Sequence, residues 1–336
     1  SSGTDALLAI LMAMGIGPGD AVITTPYSFF ATAGCIHRVG AEPVFVDITP
    51  DTLHMDPERL RRCLLRLASG AGGRLVTPRG NRVRAVIPVH LFGVCCAMEA
   101  LGEAVVPYGL PIIEDAAQAV GAEYPASGGA RRAGTLGDAA LFSFFPTKNL
   151  GGAGDGGMAV CRSRELAEQL RLLRNHGMGR GYFHGIVGGN FRLDALQAAV
   201  LHAKLPFVEE WNAARRRNAA LYRAALSDLS GLLELPAEPW KDTGATNHHT
   251  WHQYVVRAER REELLRHLER EQIGHAVYYP VPLHQQQCFS YLGHRPGDFP
   301  ESERAASETI ALPIFPELRS EEISAVAEAV RGFYLR

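Results

Sequence analysis

The sequence predicts an α/β protein: a mostly parallel central sheet covered by helices, followed by a smaller C-terminal α+β unit. Three observations carry this prediction. Strand-like and helical stretches alternate through the first half of the chain. Strand-like runs such as AVIPV at 85–89 and PII at 111–113 are almost continuously apolar, as expected of strands buried on both faces. Beyond a loop at Pro236–Asn247 the pattern changes to a strand, a helix, a short strand and two further helices over about 90 residues, the size of a small domain. The expected division is a large domain over 1–212, then a linking helix and small domain over 213–336.

Taken in order, Ser1-Ser2-Gly3-Thr4 precedes a helix from about Asp5 to Met14, ended by the glycines near 15–19. Small and hydroxyl residues before a helix leave N–H groups free for a phosphate, or serve as a plain cap. A strand at 21–25 leads through Pro26 to a helix at about 28–39, and another strand follows at 43–48. Asp56 to Leu67 reads as a helix with Pro57 in its first turn. Ser69–Arg82 reads as a surface hairpin or loop. A strand at 83–89, a helix at about 98–108 and a strand at 111–114 place Asp115 at a strand's carboxyl end, where parallel sheets gather their functional groups. Helices are expected at 162–173 and, broken at Pro206, at 193–226. In the second of these Arg215-Arg216-Arg217 reads as a solvated face. The C-terminal unit begins with a strand at 251–257, a helix at 261–271 and a short strand at 275–278.

At 336 residues, 46% hydrophobic, 21% charged and with a net charge of -2, the chain has the balance of an ordinary globular protein. Nothing electrostatic points to nucleic acid or membrane surfaces, and no apolar run reaches the roughly 18 residues that span a bilayer. The six cysteines form no CxxC pair and sit in apolar settings, which suggests buried thiols in a reducing compartment, the cytoplasm. The first residues already read as the interior of a domain, so a preceding segment is expected.

The chemistry centres on Lys148. Only three of the chain's 34 lysines and arginines are lysines, and one lies in LFSFFPTKNLGGAGDGG, between an apolar strand and a glycine-rich turn. Lysine can lose its proton and attack a carbonyl, and arginine cannot. With Asp115 and Ser143 at strand ends, the set fits pyridoxal 5'-phosphate (PLP), which needs a lysine for its aldehyde, a carboxylate for its pyridine nitrogen and donors for its phosphate.

The stretches SSGTDAL, TTPYSFFATA, PVFVDI, AVIPVHLFG, IIEDAAQAVGA, FSFFPTKNLGGAGDGG, RNHG, GGNFRLDALQAAVL, YYPVPLH and LPIFPEL occur in this order. The sequence so resembles the DegT/DnrJ/EryC1/StrS family of PLP-dependent aminotransferases of nucleotide-linked keto sugars. The resemblance implies a fold type I PLP enzyme. Gly3, Thr4 and Ser143 would hold the cofactor phosphate, Phe29 would stack on the ring, Asp115 would pair with the pyridinium and Gln118 would sit near the ring hydroxyl. Lys148 would form the aldimine. Asn190 would reach the neighbouring subunit's phosphate, making the active unit a homodimer. L-Glutamate would give the amino group, through pyridoxamine phosphate, to the keto sugar. His176, Tyr279 and His284 are candidates for substrate contact. Locally, Phe29 could equally be core, Asn190 a loop cap, and Tyr278–His284 a proline-stiffened packed loop. The family usually carries several tens of residues before SSGT.

Sugar dehydratases of the family carry a histidine at the lysine position, so Lys148 argues for amino transfer over dehydration, and the intact set argues against a silent binding or regulatory relative. A metal hydrolase built on His248, His249 and His252 lacks a further ligand nearby, and in a strand alternation would separate the pair. No metal is expected. Without a GxGxxG after the first strand, a nicotinamide enzyme is disfavoured.

Overall fold

The computed structural model describes residues 1–69 and 75–335. Its helices are α1 (Gly3–Ala13), α2 (Ala31–Arg38), α3 (Pro57–Arg66), α4 (Met98–Val105), α5 (Arg164–Leu173), α6 (Ala195–Lys204), α7 (Val208–Leu226), α8 (Arg261–Arg270), α9 (Pro300–Glu308) and α10 (Ser320–Tyr334). The strands of the first half are β1 (Asp20–Thr24), β2 (Glu42–Phe45), β3 (Ala68–Ser69), β4 (Leu75–Val76), β5 (Arg82–Ile87) and β6 (Ile113–Asp115). They are followed by β7 (Glu123–Ala126), β8 (Gly129–Arg132), β9 (Ala139–Ser143), β10 (Gly157–Cys161), β11 (Leu233–Glu234), β12 (Tyr254–Ala258) and β13 (Thr309–Leu312).

The apolar runs pair as their composition predicts. β1 lies parallel to β2 and β5, and β6 parallel to β9. Parallel bridges Val86–Ile112 and Val89–Asp115 join β5 to β6. Antiparallel pairs stand at the margins, β4 with both β3 and β5 on one side and β10 with β9 on the other. The sheet's two faces pack into two cores, one with Ile23, Val86 and Leu101, the other with Ile10, Ile36, Ile87 and Leu141. Side-chain caps fix the helix starts: Ser2 accepts from the Asp5 N–H, and Asp56 from those of Glu58 and Arg59, ahead of Pro57.

The C-terminal part is an antiparallel β11-β12-β13 sheet whose core includes Tyr222 of α7, Leu264 of α8 and Val326 of α10. Here three sequence expectations are corrected. The strand placed at 275–278 is reduced to one bridge between Ala276 and Ala311. The strand expected from Trp251 starts only at Tyr254, because 249–253 turns toward other partners. Arg215 is no solvated residue: it is buried and donates to the carbonyls of Trp251 (3.0 Å) and Ile314 (2.9 Å). Burial lowers its guanidinium pKa to about 10. Within Ser69–Arg82 a hairpin is present, β3 pairing antiparallel with β4, while 70–74 lie outside the described residues. Among the cysteines, Cys35, Cys63, Cys95 and Cys96 are buried as expected, whereas Cys288 is exposed. No helix among the described residues is long and apolar enough to cross a membrane.

Candidate active site

Because β6 and β9 run parallel with Asp115 and Leu141 in register, Asp115 and Ser143 both close strands at the same edge of the sheet. The chain then turns through Lys148 and returns as β10, in which Gly157 pairs with Ser143. Lys148 N–H donates to Phe145 O (2.9 Å), and Gly152 N–H to Phe144 O (2.8 Å). Glycine is required at 151, where a Cβ would lie 2.3 Å from the Pro146 carbonyl oxygen. The lysine therefore sits on a closed, tightly bonded turn.

The Lys148 side chain is half-buried. Burial lowers its amine pKa to about 8, although Asp115 pulls the other way. A measurable consequence follows. In the unfolded chain the group titrates near its ordinary value of 10.5, so between pH 8 and 10.5 the unfolded state binds more protons than the folded one. The buried ammonium thus costs stability in full below pH 8, and that cost fades as pH rises toward 10.5. Lys148→Met in the cofactor-free protein is expected to raise Tm at pH 7, by about 2–4 °C for each kcal/mol relieved, with the gain shrinking by pH 10. Thermal melts across this range check it, and a gain that grows with pH would refute the argument.

Asp115 is buried at the end of β6. Its Oδ2 accepts from Thr32 Oγ1 (2.8 Å) and its Oδ1 from Ala117 N–H (3.1 Å). Ser28 Oγ lies 3.0 Å from Thr32 Oγ1, extending the chain of hydroxyls. Burial raises the Asp115 carboxyl pKa, while the hydrogen bonds and Lys148 oppose that shift. Among the described residues no salt bridge reaches this carboxylate, which is suited to receive a cationic partner.

The start of α1 meets the ends of β9 and β10. Gly3 is buried, and a Cβ there would lie 2.9 Å from Ser143 Cβ; at Gly157 it would lie 2.2 Å from the Ser2 carbonyl carbon. Two glycines thus let backbone approach backbone, and the first turn of α1, including exposed Thr4, opens beside the Ser143 hydroxyl. Free N–H groups and a hydroxyl at a helix N-terminus are an anion-binding arrangement.

Phe29 is 59% exposed, so it is no core residue. Its ring centroid is 6.3 Å from that of Tyr279. The Tyr279 hydroxyl receives a hydrogen bond from Gln118 Nε2 (3.0 Å), and Gln118 Oε1 accepts from Phe92 N–H (2.6 Å). A lysine amine, a buried carboxylate, a helix N-terminus with a serine and an aromatic shelf are what PLP requires, and the residues fit the group.

Other candidates lie apart. Asn190 and His176 are exposed on the loop between α5 and α6; His176, at φ 57°, donates its N–H to Gly189 O, and Asn190 bridges Asn175. Among the described residues no hydrogen bond joins either side chain to Lys148 or Asp115, although the Asn190 carbonyl accepts from Ser1 Oγ (3.5 Å), just ahead of α1. His284 is turned inward, its Nε2 3.1 Å from Glu303 Oε1 and its ring 4.7 Å from Phe299. There it packs the loop, whose Leu283 N–H donates to Pro26 O (2.7 Å). The expectation that alternation separates the HHTWH histidines is also corrected, since 249–252 is not a strand. His248 pairs with Glu238 (3.0 Å), His249 stacks on Trp251 (3.7 Å), and His252 meets Asn149 (3.1 Å). Sequence reasoning missed Thr32 beside Asp115 and Asn149 behind Lys148. The one signal for Asn149 was its position next to the lysine.

The pattern described as the DegT/DnrJ/EryC1/StrS aminotransferase family matches residues 1–331. A protein of Geobacillus stearothermophilus named "Pleiotropic regulatory protein" is 44% identical over 99% of this chain and 83% of its own length. The UDP-N-acetyl-3-dehydro-alpha-D-glucosamine 3-aminotransferase of Acidithiobacillus ferrooxidans is 41% identical over 98% of this chain and 82% of its own. The crystal structure of DesV from S. venezuelae, in complex with a ketimine intermediate, superposes with a TM-score of 0.88 at 39% identity, covering 100% of this chain and 84% of DesV.

Proposed function

The chain belongs to the DegT/DnrJ/EryC1/StrS aminotransferase family, and from that premise we propose that it moves an amino group from L-glutamate to C3 of a nucleotide-linked 3-keto sugar, using PLP. The observation that carries this is the Lys148 turn standing at the sheet edge where Asp115 and Ser143 end their strands, with the start of α1 against Ser143. The likeness to a 3-aminotransferase of a UDP-linked keto sugar supports the substrate class and the carbon. The free cysteines support the reducing cytoplasm as the compartment.

When bound, PLP draws electrons from the α-carbon of the amino acid, which makes the α-proton acidic and lets the nitrogen change carriers. Lys148 is the attachment point for the cofactor aldehyde. Its Nζ would take the α-proton of the amino acid as a neutral base and return it as an acid, and a pKa lowered to about 8 suits both tasks. Asp115, held by Thr32 and Ala117, receives the pyridine N–H. The Gly3 and Thr4 N–H groups and the Ser143 hydroxyl hold the phosphate. Phe29 would cover one face of the ring, and Gln118, fixed by Phe92 and Tyr279, would serve the ring hydroxyl. Tyr279 closes the substrate side. Asn190, exposed and free of the Lys148 group of its own chain, would complete the site of a second subunit in a homodimer, with His176 beside it.

The regulatory name of one relative gives a second reading, in which the cofactor is bound but not turned over. The visible spectrum of the protein with PLP, before and after L-glutamate, separates the two. We expect the band of the lysine-bound cofactor to give way to that of pyridoxamine phosphate, with 2-oxoglutarate released in equal amount. A bound cofactor that no amino acid converts would sink amino transfer and favour the regulatory reading.

A further inference from the structure

The proposed chemistry makes no use of the HHTWH stretch, yet His249 and His252 are buried, and the segment they frame touches both sides of the site. Thr250 N–H donates to Gly93 O (2.8 Å) and Gln253 N–H to Phe92 O (3.4 Å), below the Phe92 N–H that holds Gln118. A Cβ on Gly93, at φ 108°, would lie 2.6 Å from Thr250 Oγ1, so this approach leaves no slack. On the other side the segment reaches the residue next to Lys148. Asn149 Nδ2 donates to Asn212 Oδ1 and to Thr250 O, both at 2.8 Å.

Those two bonds use both amide hydrogens of Asn149, so its Oδ1 can only accept. The His252 Nδ1 3.1 Å away must carry the hydrogen, which fixes the tautomer and leaves Nε2 with a lone pair. Burial, with Lys148 and Arg215 as neighbouring cations, keeps this imidazole neutral. The ring lines a cavity of 230 Å³ together with Thr147, His275 and Tyr278.

We propose that His252 is a positioning residue for Lys148: it acts through Asn149, pinning the turn that carries the lysine amine to α7 and to the segment before β12. The inference rests on the reading of Lys148 as the reacting amine. Three partners, one on α7 and two in the 250–252 segment, converge on one buried amide, so removing the His252 donor leaves Asn149 Oδ1 buried and unpaired and frees the turn to move. A looser turn lets the amine reach water and lifts the penalty that burial places on its charge. The charged and titratable groups around the pair are Asp115 of β6, Arg215 of α7, and His275 and Tyr278 across the cavity.

The test needs neither cofactor nor activity. Cofactor-free protein is labelled with trace acetic anhydride from pH 6 to 11, and acetylation of Lys148 is read by mass spectrometry against Lys204 and Lys241 in the same sample. The wild-type midpoint is expected near 8. His252→Phe, which fills the space without the donor, is expected to raise it by about one unit, a tenfold loss of Lys148 labelling at pH 7. His252→Asn, which keeps a donor where Nδ1 stood, is expected to hold the wild-type value. Asn149→Ala combined with His252→Phe is expected to shift no further than Asn149→Ala alone, since the histidine acts through the amide. A folded His252→Phe with an unmoved midpoint would overturn the proposal, as would a His252→Asn that shifts as far. If His252→Phe does not fold, Asn149→Ala must shift the midpoint and His252→Asn must not. A protein that binds no PLP would refute the aminotransferase reading and still yield this titration.

Discussion

Lys148→Ala is expected to abolish amino transfer, with kcat falling by about 10³-fold or more while the protein stays folded. On the proposed reading this amine moves the α-proton, and a positioned acid–base group contributes about 10²–10⁴-fold by itself. Covalent attachment of the cofactor is lost as well. Removing the side chain also relieves the cost of burying an ammonium, the same burial that lowers the lysine pKa to about 8, so the variant should melt no lower than wild type at pH 7, as expected when a functional site stores instability. Lys148→Arg sharpens the point: it restores a cation but not a group that can lose its proton, and it is expected to be as inactive as alanine. The readouts are single-turnover conversion with L-glutamate and exchange of the glutamate α-proton with deuterated water. Residual exchange above a tenth of wild type would show that another group moves the proton.

The second large effect is expected at Asp115. Asn can keep the local bonds: its oxygen can still accept from Ala117 N–H, and its amide can donate to Thr32 Oγ1, which can turn toward Ser28. What it cannot keep is the charge. A hydrogen bond to a charged group is worth about 1.5–3 kcal/mol, so Asp115→Asn is expected to lower kcat by about 10- to 100-fold with little change in Tm. Steady-state kinetics together with thermal melts check this. A variant that loses Tm in step with its activity would mean that Asp115 is structural. Full activity with the charge removed would take the pyridinium role from it.

The parallel strands were legible because burial on both faces writes itself as an unbroken apolar run, and Asp115 and Ser143 were legible because they stand where such runs stop. The β7–β8 hairpin was not, since β8 is exposed throughout and GARR shows no alternation. Arg215 misled because a buried arginine and a solvated one look alike in a basic run; only the carbonyls of Trp251 and Ile314, far along the chain, distinguish them. The same holds at the site. Lys148 is conspicuous by residue type, whereas Thr32, Asn149 and His252 matter through contacts across many residues, which no local pattern records. His284 shows the converse: a histidine in a conspicuous motif whose Nε2 faces Glu303 and whose ring packs on Phe299.

The junction of Gly3, Ser143 and Gly157 has a consequence for how the molecule comes together. The opening of the first helix finds its place only when the chain more than a hundred residues later has folded back against it. Contacts of that sequence separation are slow to form, because loop closure precedes any gain from them. A phosphate-bearing ligand held there cannot engage a half-assembled chain. It binds the finished state alone, so each tenfold excess of ligand over its Kd adds about 1.4 kcal/mol to the work of unfolding. If the cofactor phosphate is held there as proposed, its supply would set the stability of the folded molecule as well as its activity.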